Sequence, residues 1–274
     1  LTLPSPACPV PRTAFGTQGP SDGERVVAEE TPVALTYNRT TYAVMMATPA
    51  DIEDFAMGFS LTERIVAAAG DIGDLEIVAV PDGIEARMWL AADRIEAVER
   101  RRRYIAGATG CGLCGLESLA EAARPPAPVS GDVRIDPATL LAAMQALGPR
   151  QTLNHATRAV HAAGFWRPDA GLIAVREDVG RHNALDKLAG ALARAGIAAS
   201  DGAVLLTSRI SVELVQKAAA MGAPLVAAVS APTALAIRTA EAAGITLAGI
   251  ARSDGFELFT HAQRIAREAA DAAG

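Results

Sequence analysis

Residues 1 to about 23 mix Pro, Gly, Ser and Thr without any hydrophobic period, so the sequence predicts a disordered leader there. From residue 24 the pattern changes. The run ERVVAEETPVALTYNRTTYAVMMATP alternates apolar and polar positions around Asn38-Arg39, as a pair of strands joined by a turn does. DIEDFAMGFSLTERIVAAAG then reads as a helix capped by Asp51 and stopped by Gly70. LEIVAV and IEARMWLA form two more strands around Pro81-Asp82-Gly83, which makes residues 24–105 a small α+β domain.

A loop and linker over 106–130 carries AGATGCGLCGLESLAEAARPPAPV, after the basic run Arg100–Arg103. Glycines there permit backbone shapes other residues avoid. Beyond it, residues 131–274 predict a helix ending near Gly148, a helix around NHATRAVHAAG, a strand at GLIAVRE and a helix at NALDKLAGALARAG. Three strand-then-helix repeats close the chain: AVLLTS before VELVQKAAAMG, PLVAAVS before TALAIRTAEAAG, and TLAGIA before THAQRIAREAADAA. Short apolar strands alternating with amphipathic helices imply a mostly parallel sheet covered on both faces, an α/β fold. Ligands of such sheets sit beyond the carboxyl ends of the strands, and here those ends carry TSRIS, VSAPT and IARSDG. Each loop also suits simple helix capping, but capping does not call for Arg209 and Arg252 at equivalent positions.

Length and composition narrow the class. A chain of 274 residues exceeds the usual single core, so two packed units are expected. Aromatics are only 4%, leaving Ala, Val, Leu and Ile to build the interior. A net charge of -6, from 25 basic and 31 acidic side chains, argues against general nucleic-acid binding. Apolar runs fall short of the roughly 20 residues that span a bilayer, and the Pro-rich opening has no signal-peptide layout; a cytoplasmic protein is expected.

Two of the three cysteines form one CxxC pair, Cys111 and Cys114. Two thiols are too few for a disulfide framework or a four-ligand zinc site, and no zinc is expected. Cys111 lies just ahead of a helical stretch near Leu116, where a macrodipole lowers a thiol's pKa. Spacing alone leaves redox, metal and sulfur-transfer chemistry open.

The wider set of motifs resembles the formate dehydrogenase accessory sulfurtransferase family, FdhD. The matching segments are FAMGFSLTERIV, TGCGLCG, VREDVGRHNALDKLAG, LTSRISVELVQKAA, VSAPTALAIRTAEAAG and LAGIAR. The resemblance implies sulfur transfer from a cysteine desulfurase to the molybdenum bis(molybdopterin guanine dinucleotide) cofactor of formate dehydrogenase, with a homodimer as the working state. It implies a cytidine-deaminase-like three-layer α/β/α domain at the C-terminal side, with a smaller N-terminal α+β domain. It places the persulfide on Cys111 with Cys114 as its neighbour. It places the guanine dinucleotide pocket on Ile250, Ala251, Arg252, Ser253, Asp254 and Gly255. From the loop geometry, Arg209, Ser230 and Thr233 are added to that pocket, Lys217 is a further source of positive charge, and GDP is expected to bind as a partial mimic. The sequence departs from the family where Arg64, Arg158 and Ser253 stand at positions usually held by glycine.

Two further readings compete. A zinc nucleobase deaminase uses H-x-E and P-C-x-x-C, and this chain has no H-x-E and no Pro before Cys111. A scaffold that docks the cofactor without carrying sulfur needs the same pocket but no reactive thiol. His182 is a candidate base beside Asp178 and Asp186; the alternative is a helix capped by Asn183, with Leu185, Leu188 and Leu192 buried and Asp186 solvated.

Overall fold

The computed structural model describes residues 1–91 and 126–266. It opens with a two-stranded antiparallel ribbon, β1 (Ala7–Gly16) and β2 (Gly19–Ala28). This corrects the expected disordered leader. The ribbon is held by backbone pairing and is mostly exposed on both faces, so it leaves no hydrophobic period to read.

A four-stranded sheet of order β4-β3-β6-β5 follows, from β3 (Thr31–Tyr37), β4 (Thr40–Ala47), β5 (Ile72–Val80) and β6 (Gly83–Leu90). The β3–β4 turn falls on Asn38 and Arg39 at φ 47 and 69, the left-handed pair that matches strand twist in a tight hairpin. Helix α1 (Ile52–Thr62) lays Phe55, Ala56 and Phe59 on Val33, Leu35, Ile84, Ala86 and Met88. It ends at Thr62, with Arg64 turning left-handed at φ 56, well before the expected stop at Gly70. Asp51 precedes it without a side-chain capping bond.

The second unit is a six-stranded sheet of order β12-β11-β10-β9-β7-β8. Its strands are β7 (His161–Arg167), β8 (Gly171–Asp178), β9 (Ala203–Leu206), β10 (Leu225–Ala228), β11 (Thr246–Arg252) and β12 (Gly255–Thr260). β9, β10 and β11 are parallel, while β7, β8 and β12 run antiparallel to their neighbours. Helices α4 (Arg181–Arg194), α5 (Val212–Met221) and α6 (Ala234–Ala243) cover one face, packing on Val204, Leu206 and Val226. Helix α2 (Pro137–Leu147) covers the other through Ala203, Leu205 and Leu225. Alternate residues of β9 thus feed opposite cores, as the period-2 geometry of a strand requires, and the result is three layers.

One expected helix gives way in part to a strand. Around NHATRAVHAAG only α3 (Thr152–Thr157) is helical; Arg158 ends it at φ 60 and β7 begins at His161. After TLAGIA, β11 turns at Ser253-Asp254 into β12, and of the expected helix THAQRIAREAADAA the described residues show a single 3-10 turn over Ala262–Arg264; residues 267–274 lie outside the described residues.

The two units meet along α1 and α4. A Cβ on Gly58 would lie 1.7 Å from the Asp186 backbone oxygen, and one on Gly190 would lie 1.9 Å from that of Asp54. Only glycine lets the backbones approach this closely. Across the same contact Asp54 accepts from Arg176 Nε at 2.8 Å and Arg194 Nη1 at 2.6 Å. Lys187, with no exposed surface, pairs with Asp178 at 2.7 Å and donates to the Thr48 carbonyl at 2.9 Å.

Candidate functional site

The carboxyl ends of β9, β10 and β11 bring the three polar loops together, as their parallel order predicts. The first two are stitched by backbone bonds, Ile210 N–H to Ala231 O at 3.4 Å and Thr233 N–H to Ile210 O at 3.0 Å. The third joins through Ile250 N–H to Ser230 O at 3.2 Å. Gly249 makes that fit possible, since a Cβ there would sit 2.9 Å from Pro232 Cδ. Ile250 is held at φ 53 within a bulge of β11, an outlier for a β-branched residue and the kind of strain that gathers at ligand sites.

The predicted residues divide. Arg209, Arg252, Ser253 and Asp254 are exposed, and neither arginine side chain has a hydrogen bond or ion pair among the described residues. Ser230 is half-buried beside them, Ala251 is buried in the core against α2, and Gly255 is the strand residue paired with Arg252. Thr233 is committed to capping α6, its side chain accepting from Ala236 N–H at 3.2 Å. Because Ser253-Asp254 is a hairpin turn, the third loop has no helix N-terminus to offer, which corrects the expected geometry.

Lys217 also belongs elsewhere. Its ammonium is buried and bonds Asp186 at 2.9 Å, Glu63 at 2.6 Å and Thr62 Oγ1 at 3.1 Å. Burial would strip its proton, but Asp186 and Glu63 outweigh burial and hold it charged. Asp186, expected in solvent, is 1% exposed and accepts from Thr62 Oγ1 at 2.5 Å; burial pushes its pKa up to about 6 against the pull of Lys217.

One turn away a second pair faces across the same helices. His182 and Asp186 are four apart on α4, as are Glu213 and Lys217 on α5, so each helix presents both on one face. The inner rung, Asp186–Lys217, is closed; the outer is open. His182 Nε2 lies 3.9 Å from Glu213 Oε2, beyond hydrogen-bond reach. Burial, then Arg181 and Lys217, pull the His182 pKa down to about 4, so the imidazole is neutral at pH 7 and no ion pair forms. His182 Nε2, Glu213 Oε2, Ser211 Oγ and Arg181 Nε are all buried without a hydrogen-bond partner among the described residues. Asn183, expected as the cap, instead lies inside α4 and donates to Met46 O and Asp178 Oδ1 at 2.8 and 2.9 Å. The polar pattern Arg-His-Asn and Ser-x-Glu at two helix starts is the signal for this cluster; without the strand order it does not show that the two starts face each other.

Cys111 and Cys114 lie outside the described residues. The model of the FdhD/NarQ family matches residues 28–266. The chain belongs to the FdhD/NarQ family. Its relatives include the sulfur carrier protein FdhD of Agrobacterium fabrum, 53% identical over 93% of this chain and 95% of that protein. The sulfur carrier protein FdhD of Cupriavidus necator is 54% identical over 89% of this chain and 84% of its own length. A crystal structure of a putative formate dehydrogenase accessory protein from Desulfotalea psychrophila superposes with a TM-score of 0.76 at 25% identity, covering 95% of this chain and 99% of that one. The mixed α/β architecture is therefore one that a solved relative shares along nearly its whole length. Among the described residues no group of three His, Cys, Asp or Glu is placed to hold a metal, and no helix is long and apolar enough to cross a membrane.

Proposed function

We propose that this FdhD/NarQ member is a sulfurtransferase that carries a persulfide on Cys111 from a cysteine desulfurase to the molybdenum bis(molybdopterin guanine dinucleotide) cofactor, for use by formate dehydrogenase. The observation that carries the reading is full-length similarity to proteins named sulfur carrier protein FdhD, in a chain that keeps TGCGLCG. In the first step the Cys111 thiolate attacks the outer sulfur of the donor's persulfide; the new S–S bond forms as the old one breaks, and the donor cysteine leaves as a thiolate. Cys114 tunes or resolves the persulfide. The cofactor is the acceptor and is held at the sheet edge, where Arg209 and Arg252 bring uncommitted positive charge to its phosphates and α6 turns its N-terminus to the same edge. The working state is a cytoplasmic homodimer, and the C-terminal layers are of the cytidine-deaminase-like type.

Intact-mass analysis after incubation with a desulfurase and cysteine tests the reading. Wild type is expected to gain one sulfur atom, lost again on reduction, and Cys111→Ala to gain none and fail to activate formate dehydrogenase. Full activation by Cys111→Ala removes the carrier role and leaves a docking scaffold.

A further inference from the structure

The open rung between α4 and α5 has no role in the sulfur chemistry above. Native proteins leave few buried polar atoms unpaired, because each costs on the order of 1–3 kcal/mol, yet four gather here at two facing helix starts. His182 is 8% exposed, and the side chains of His182 and Glu213 keep 10% and 16% of their surface, so the rung lies just under the surface at the carboxyl end of β9, and a ligand would reach it through side-chain rotation.

The atoms state what they need. An ionised Glu213 only accepts, Arg181 Nε only donates, and the Ser211 hydroxyl and the neutral imidazole do either. A phosphate offers acceptors alone, and Glu213 repels it. The complementary group is a planar edge with adjacent N–H and amino donors beside a carbonyl acceptor. Guanine and pterins share that 2-amino-4-oxopyrimidine edge. Strands lie about 4.8 Å apart, so Ser211, after β9, and the Arg252 turn, after β11, are separated by two strand spacings, about 10 Å. That span suits a diphosphate with a different ring at each end.

We propose that Glu213, with His182, Ser211 and Arg181, seats the aminopyrimidinone edge of the pterin, while the Arg252 turn holds the guanine nucleotide. The assignment rests on the cofactor being the substrate, as proposed above.

Fluorescence and calorimetric titration of the whole chain tests it with four probes: 6-hydroxymethylpterin, lumazine (the same bicycle with oxygen replacing the amino group), GDP and IDP. Wild type is expected to prefer the pterin to lumazine by at least about tenfold, the scale of a charge-assisted hydrogen bond. Glu213→Gln should abolish that preference and leave GDP binding unchanged, whereas Arg252→Ala should weaken GDP and spare the pterin. Ser211→Ala provides a second readout if Glu213→Gln lowers the melting temperature, and is expected to weaken the pterin alone. Equal binding of pterin and lumazine, or a preference that survives Glu213→Gln, overturns the seat. If Glu213→Gln instead removes a preference for GDP over IDP, the seat reads guanine and the pterin placement is wrong. Loss of the GDP arm with pterin discrimination intact rejects the nucleotide site but not the seat; no binding of any probe rejects both.

Discussion

Arg64 and Arg158, at positions where the resemblance implies glycine, both adopt left-handed backbone, at φ 56 and 60. That conformation costs about 1–2 kcal/mol for a residue with a Cβ. Arg158 is exposed and offers a clean test. Arg158→Gly relieves the strain but adds freedom to the unfolded chain, so its stability in urea should equal or exceed wild type by up to about 1 kcal/mol. Arg158→Val, β-branched at the same φ, should lose about 1 kcal/mol or more; a valine variant as stable as wild type would show that the turn relaxes elsewhere. Other residues were legible only in part. Leu185, Leu188 and Leu192 are buried as the periodicity of α4 requires. Asp186 is buried where the pattern suggests solvent, because a helix pattern shows which face is polar and does not show that a second polar face lies opposite.

At the level of elements, β3 to β6, α1, α2 and the β9–α5–β10–α6 repeats follow directly from periods of 2 and 3.6 and from turn residues. The misses share a cause. β7 was absorbed into an Ala-rich helical pattern, and β12 into a repeat that had already occurred twice, although Asp254-Gly255 is a hairpin signal. The ribbon β1–β2 has no buried face to signal. Nor did the pattern show that Gly58 and Gly190 mark a helix crossing, since an isolated glycine in a helix reads only as a weak point. Helix propensity favours Ala over Gly by about 1 kcal/mol, but at Gly190 the added methyl would meet the Asp54 backbone oxygen at 1.9 Å. Backbone cannot swing aside, so the clash wins. Gly190→Ala is expected to lower stability by about 2 kcal/mol or more, while Gly148→Ala, with nothing within 4 Å of its Cβ, should be neutral or better. Denaturant titration of both checks this, and a stabilised Gly190→Ala would mean the helices sit farther apart than described.

For the whole molecule, length suggests two packed units, and composition does not reveal how they are joined. The joint is polar and interlocked. Asp54 is gripped by Arg176 and Arg194, Thr62 and Glu63 reach the Asp186–Lys217 pair, and Lys187 ties Asp178 to the Thr48 turn. Asp54, Asp178, Asp186, Lys187 and Lys217 are too buried to be left alone, so separating the units strands several charges at once. That makes independent unfolding of either unit unfavourable and predicts one cooperative transition. The chain carries a reporter in each half, Trp89 on β6 and Trp166 on β7, and these are its two tryptophans. Fluorescence of Trp89→Phe follows the six-stranded sheet, and that of Trp166→Phe the four-stranded one. Once each substitution's own effect is subtracted by a whole-molecule probe such as circular dichroism, the two midpoints should coincide. Adding Lys187→Met leaves Asp178 buried without its counter-ion, at a cost of up to about 3–5 kcal/mol, and should move both midpoints down together. Distinct midpoints in the single-tryptophan proteins, or a Lys187→Met effect confined to one reporter, would show two units that fold separately and would move the joint from a structural lock to a hinge.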